Sequence, residues 1–164
     1  MSASDDANGA LPGPLPDPPA GFDTLDEESV SALPAVQGMR RVEWRDGFAA
    51  LTWEIGAEAV NRQGVAHGGA TATLLDTAAG YAPVYCPYPG RRRRAFTLSL
   101  DLQFVGAIRP DEGPVRAEGR VTGGGSAIAF VEAQAWNNAG ALVAKAQGVF
   151  RLRSDSRSLW GAPR

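Results

Sequence analysis

One cysteine, Cys86, and one histidine, His67, are all that this chain holds of the two residue types that most often bind transition metals. A single cysteine excludes an intrachain disulfide, and beside a lone histidine it cannot build a His/Cys zinc cluster. Long apolar runs are missing too, since nothing approaches the roughly 18 residues of a membrane-spanning helix. A strong charge of either sign is also absent: 16 Lys and Arg against 18 Asp and Glu leave a net charge of −2. That balance argues against bulk nucleic-acid binding. Met1 to Ala10 is polar and acidic and lacks the apolar centre of a secretory signal. The expectation is a cytoplasmic protein with no metal, no nucleic acid and no membrane among its partners.

What the chain does have is 164 residues, 44% hydrophobic and 21% charged, enough for one globular domain. Pro12, Pro14, Pro16, Pro18 and Pro19 crowd its beginning, so residues 1–20 are expected to form a disordered arm. Residues 21–35 are expected to hold a short helical segment, at about Thr24 to Ala32. Asp23 or Thr24 would cap it, with Glu27 and Glu28 in its first turn. The domain proper is expected over residues 36–153, and residues 154–164 as a loose tail.

Within the domain, Gln37 to Trp44 and Phe48 to Ile55 read as strands joined at Arg45-Asp46-Gly47, a hairpin signal. A glycine-led helix follows over about Gly68 to Ala82, and Pro83 ends it. The turn-rich segment Cys86-Pro87-Tyr88-Pro89-Gly90 leads into four consecutive arginines, Arg91 to Arg94. Leu98, Leu100, Leu102 and Phe104 then alternate with Thr97, Ser99, Asp101 and Gln103, the period-two pattern of a half-buried strand. Past a turn at Arg109 to Gly113, three more strands are expected, Val115 to Thr122, Ala127 to Trp136 and Ala141 to Leu152. Two strands, one helix and then four strands in hairpin succession argue against a doubly wound sheet. The fold class is α+β: an antiparallel sheet curled around the one long helix able to cover its apolar face. Such a sheet keeps open edges, which favours a dimer.

The chemistry concentrates between Asn61 and Tyr81. Gly68 and Gly69 at a helix start leave N–H groups and the positive end of the helix dipole facing outward, suited to a carbonyl or anion. A plain turn into the helix is the other reading. Asp76 lies among Leu74, Leu75, Ala78 and Ala79, where an ionised group has little structural use. It is either a carboxylate on the helix's wet face or a catalytic one. Gly68 and Asp76 are eight residues apart, about 12 Å along a helix. An aspartate side chain cannot close that gap, so serving one reacting carbon would take Gly68 from one subunit and Asp76 from another. Asn61 either holds a water or substrate carbonyl or bonds within its own loop. His67 is assigned to orienting that loop or the carbonyl, with no triad in view. Arg93 and Arg94, at the end of the arginine run, are candidate phosphate clamps or a solvated face. Gly125 and Ser126, closing a glycine run, are a second candidate approach to phosphate.

These residues resemble a known family. Asn61-x-x-Gly64-x-x-His67-Gly68-Gly69, followed by Leu75-Asp76-x-Ala78-x-Gly80, is similar to the signature of PaaI-like acyl-CoA thioesterases of the hotdog superfamily. The likeness extends to Thr97 to Val105, Arg109-Pro110 and Gly140 to Phe150, and covers roughly Val36 to Leu152. It implies a hotdog fold, an antiparallel sheet wrapped around a long central helix, with homodimers that often pair into homotetramers. It implies hydrolysis of an acyl-CoA to free acid and CoA. Asp76 would act as general base or nucleophile, the Gly68 N–H would polarise the thioester carbonyl, and His67 and Asn61 would position carbonyl and water. Gly69, Gly80 and Thr97 complete the expected substrate contacts. Coenzyme A is then part of the substrate, and no cofactor is expected. Some relatives acting on hydroxybenzoyl-CoA have threonine where Gly80 stands, so their water-positioning scheme does not carry over. An aryl or medium-chain acyl group is expected, in a slot beside the helix alanines. Two rivals stand against hydrolysis: a hotdog hydratase or dehydratase of acyl-thioesters, which releases no thiol, and a non-catalytic acyl-CoA-binding protein, which leaves the ester intact.

Overall fold

The computed structural model describes residues 32–86 and 93–154. Its elements are α1 (Ala32–Val36), β1 (Met39–Arg45), β2 (Phe48–Trp53), α2 (Gly68–Tyr81), β3 (Arg93–Phe104), β4 (Val115–Gly124), β5 (Ile128–Trp136) and β6 (Leu142–Ser154). The arm of residues 1–20, the segment 21–31, the turn at Pro87 to Gly90, Arg91, Arg92 and the tail from residue 155 lie outside the described residues. α1 begins at Ala32, where the expected helix of Thr24 to Ala32 was to end.

The first two strands pair antiparallel, with Arg45 opposite Phe48, around Asp46-Gly47. Gly47 has φ +67°, a conformation that costs glycine nothing because it lacks Cβ. All six strands join one antiparallel sheet in the order β1-β2-β4-β5-β6-β3. This corrects the expectation of four strands in hairpin succession. β4, β5 and β6 do follow one another as hairpins, but β3 pairs with β6 at the far edge. The physical reason is α2, which carries the chain across the sheet, so that β3 lands at the edge opposite β1. The segment after β3 then returns beneath the start of α2, where Ile108 O accepts from Ala66 N at 2.8 Å. Turn chemistry reads sequence neighbours and carries no information about such a crossover.

α2 lays Ala70, Thr71, Leu74, Leu75, Ala78 and Ala79 against the sheet. They meet a core that includes Leu51, Trp53, Val115, Val131 and Phe150, so that each leucine is worth about 1.5–3 kcal/mol of burial. The approach is tightest at β4, where a Cβ on Gly119 would overlap the Ala78 carbonyl oxygen. A second cluster, Trp44, Ala49, Val84 and Tyr85, closes the C-terminal end of the helix. There the Trp44 indole donates to Tyr81 O at 2.9 Å, and the Arg41 guanidinium lies 4.0 Å over the Trp44 ring.

β3 carries a bulge, with its register against β6 shifting between Thr97 and Ser99. The extra residue inverts the pleat. Ala95 and Thr97 face the helix before the bulge, and Leu100 and Leu102 face the core after it. Leu98 therefore does not share a face with Leu100 and Leu102, as simple alternation suggests, and is 57% exposed. β1, at the other edge, is also bulged, between Arg41 and Glu43, and shows Arg40 and Arg45 to solvent.

Candidate active site

The segment before α2 is tied down by its own polar groups. The Asn61 side-chain oxygen accepts from Gln63 N at 2.9 Å and Val65 N at 3.4 Å, and Asn61 N donates to Val65 O at 2.8 Å. Two backbone donors thus fix the amide's orientation and occupy its oxygen. Its NH2 group is the part left to meet a carbonyl. His67 N donates to Ala59 O at 2.7 Å, which seats the histidine as N-cap of α2.

That cap organises the helix start. The His67 Nδ1 accepts from Gly69 N–H at 2.9 Å, and His67 O accepts from Ala70 N–H at 2.9 Å and Thr71 N–H at 3.1 Å. A helix begins with four N–H groups that have no intrahelical partner. Three of them are answered here, His67 N–H by Ala59 O and those of Gly69 and Ala70 by His67, so the Gly69 donor is not open, contrary to the reading that both glycines leave theirs uncovered. Among the described residues only the Gly68 N–H of that turn has no acceptor. Gly68 is half-buried, with the Phe104 ring 3.5 Å from where its Cβ would stand. With Nδ1 accepting, neutral His67 carries its proton on Nε2. Sequence reasoning did not anticipate histidine as a cap, because Ser, Thr, Asp and Asn are the usual signals.

Asp76 is half-buried on the same helix, and its Oδ1 accepts from the Thr97 hydroxyl at 2.8 Å. Among the described residues nothing donates to its second oxygen. Thr97 itself is exposed, so the bonded pair faces outward beside the edge strand rather than into the core. The bulge produces this contact, and no sequence signal marks it. Gly80, one turn after Asp76, lies over Phe150, the residue that pairs with Thr97 across the sheet.

The remaining candidates gather elsewhere. Arg93 and Arg94 open β3, four and three residues before Thr97, and thus about 13 and 10 Å from it along the strand. Arg93 is half-buried, and desolvation lowers its pKa, with Asp46 and Cys86 opposing that effect; Arg94 is exposed. Gly125 and Ser126 join β4 to β5 at the same end of the sheet, where Leu152 N donates to Ala127 O at 2.8 Å. One chain thus places Gly68 toward one end, the arginines and the glycine turn toward the other, and Asp76 between. Among the described residues no cluster of three or more His, Cys, Asp or Glu side chains could hold a metal ion, and no helix is long and apolar enough to cross a membrane.

Residues 63–144 match the family model of the thioesterase superfamily, half of the chain. A conserved protein of Pseudomonas aeruginosa is 32% identical, with TM-score 0.66 over 76% of this chain and 96% of its own. The chain belongs to the thioesterase superfamily. As a member it is a thioester hydrolase with the hotdog fold. Two further solved structures share that fold. The Escherichia coli PaaI protein, from the phenylacetic acid degradation operon, is 22% identical with TM-score 0.64 over 74% of this chain and 83% of that one. A hypothetical thioesterase of Streptococcus pneumoniae, solved with coenzyme A, is 22% identical with TM-score 0.62 over 71% of this chain and 87% of that one. No curated protein matches this thioesterase.

Proposed function

We propose that this thioesterase hydrolyses acyl-CoA esters at two sites shared between the subunits of a homodimer. The observation that carries the reading is the division of labour along α2. One unanswered N–H, that of Gly68, stands about 12 Å from a carboxylate oriented by Thr97. Among the described residues the two groups stand too far apart to serve one reacting carbon on the same chain. The exposed apolar side chains of β3, Phe96, Leu98 and Phe104, and Val105 just past its end, support pairing along that edge. A two-fold axis beside β3 would bring Gly68 of one protomer toward Asp76 of the partner subunit.

In this reading the thioester carbonyl oxygen accepts from the Gly68 N–H, which holds the charge that develops as the tetrahedral intermediate forms. The carboxylate of Asp76 takes a proton from the attacking water. The C–S bond then breaks, the acid is released, and the CoA thiolate recovers a proton. Direct attack by Asp76 would instead give a mixed anhydride that water opens, with the same products. Arg93 and Arg94, together with Gly125 and Ser126, are proposed to meet the CoA phosphates. The coenzyme A held by the pneumococcal relative supports CoA as the carrier. Pairing of dimers into a homotetramer belongs to the same proposal.

Thiol release from acetyl-, octanoyl- and benzoyl-CoA tests the reading. Asp76→Ala is expected to lower kcat about 10²–10⁴-fold. Release that persists undiminished in the variant would remove Asp76 from the mechanism.

A further inference from the structure

After its bulge, β3 turns Leu100 and Leu102 toward the core, and period two puts Phe104 on the same face. Phe104 ends the strand and overshoots that core. The residue is 57% exposed, yet the tip of its ring stands against the first residue of α2. Cζ is 3.5 Å, and Cε1 and Cε2 are 3.7 and 4.0 Å, from where a Cβ on Gly68 would stand. The ring therefore approaches by its outer rim rather than by its flat face. By standard geometry the Gly68 nitrogen is about 2.5 Å from that Cβ position, which puts the rim within about 6 Å of the donor. The sheet holds the ring in place: Phe104 pairs with Ala144, and Val105 N and Gly106 N both donate to Val143 O, at 2.8 and 3.0 Å.

A hydrocarbon is an unusual neighbour for a helix start, where polar side chains commonly answer the open N–H groups. At α2 the His67 cap answers Gly69 and Ala70, and what stands beside Gly68 is a ring with no acceptor to offer. The rim of an aromatic ring is its weakly positive part, and the face is the negative one. A rim beside an N–H therefore does not quench it, and it fills room that water would otherwise take. A donor kept from water and from other acceptors stabilises a developing negative charge more than one already solvated.

We propose that Phe104 is a positioning residue of the reaction, keeping the Gly68 N–H unhydrated and unanswered until the thioester carbonyl oxygen arrives. The proposal rests on the acyl-CoA reading above and deepens it, because it names what prepares the oxyanion donor. Phe104 moves no proton and forms no bond; it acts through Gly68. A shorter side chain at 104 lets water reach the N–H. A side chain with a carbonyl of its own occupies it.

The test compares Phe104→Leu, Phe104→Ala and Phe104→Gln with wild type. Thiol release from acetyl-CoA gives kcat and KM, and light scattering gives the dimer content, so that kcat is taken per dimer. Exchange of the Gly68 amide proton with water, followed by NMR, gives the access of solvent to the donor. In Phe104→Ala kcat is expected to fall about tenfold, and in Phe104→Gln, whose carbonyl competes for the donor, up to about a hundredfold. Phe104→Leu should keep most of the activity, with KM moving less than about threefold in all three variants. Gly68 exchange should quicken in Phe104→Ala, and less in Phe104→Leu. Equal kcat in the Leu and Gln variants, a loss carried by KM, or unchanged Gly68 exchange in Phe104→Ala overturns the proposal. If Phe104→Ala fails to fold or to pair, the Leu and Gln variants decide by kcat and by exchange. If wild type releases no thiol, the catalytic reading fails on its own, and the shielding is judged by exchange. Faster Gly68 exchange in the variants with the smaller apolar side chains then sustains it, and a rate equal to that of wild type overturns it.

Discussion

Thr97 donates to Asp76 and thereby decides where the carboxylate points, leaving the other oxygen for a proton or a carbon. Removing the hydroxyl without changing the shape should free that rotation. Thr97→Val is expected to lower kcat by up to about a hundredfold with KM nearly unchanged, because misorientation harms the reacting geometry more than binding. An equal loss shared by kcat and KM would assign Thr97 to substrate binding instead. Gly68 offers a cleaner test than most backbone donors. It is the first residue of α2, where proline is well tolerated, and His67 before it already has φ −66° and ψ 135°, as a residue preceding proline prefers. Gly68→Pro deletes one N–H that has no acceptor among the described residues. Stability should hardly move, while kcat should fall about 10²–10³-fold if that N–H faces the oxyanion. Both residues show the limit of sequence reading at this scale. The Asn61 to Gly69 segment marked a candidate site by composition, yet that His67 would take the Gly69 donor and leave Gly68 alone depends on cap geometry that no spacing reveals.

At the scale of elements, β4 carries a charge relay on the outer face of the sheet. Arg116 Nε donates to Glu118 at 2.9 Å and Arg120 to Glu118 at 2.8 Å, and Arg116 also reaches Glu43 of β1 at 3.4 Å. Burial pushes the Glu118 carboxyl up, but the two arginines outweigh it and its pKa lies below the ordinary glutamate value. A folded pKa below the unfolded one adds stability above the ordinary carboxylate range, and that stability is lost as pH falls through the folded value. Glu118→Gln should therefore unfold at a lower Tm than wild type at neutral pH, by an amount worth no more than about 1 kcal/mol for so exposed a cluster. The difference should shrink as pH falls through the folded value of that carboxyl and vanish once it is protonated in both states. A difference constant over that range would mean that packing, not charge, is lost. Most elements were legible in advance: the hairpin at Asp46-Gly47, α2 from its glycines, and β4 to β6 from alternation and turns all stand within a few residues of expectation. The bulge in β3 was not. Alternation of Leu98 with Leu100 and Leu102 looks unbroken, and only pairing with β6 reveals that one residue is inserted.

At the scale of the whole molecule, a shared active site makes a prediction that no single variant can. Asp76→Ala and Gly68→Pro homodimers should each be inactive. Unfolded together in equal amounts and refolded, they should regain about a quarter of wild-type activity, because half of the dimers are then mixed and each mixed dimer has one intact site of two. No recovery, with mixed dimers demonstrated, would place both groups in one chain. Sheet order lay beyond sequence reading at this scale, since the return of the chain from β3 to β4 leaves no mark in the residues between. The order has a consequence for what happens after pairing. Both outermost strands carry a bulge, but β3 exposes Phe96 and Leu98, whereas β1 shows Arg40 and Arg45 to solvent. Fixed charges are one way sheet rims repel further strands. One adhesive rim and one repellent rim permit growth by a single addition, so the sheet that doubles in the proposed dimer terminates there instead of propagating into a fibre.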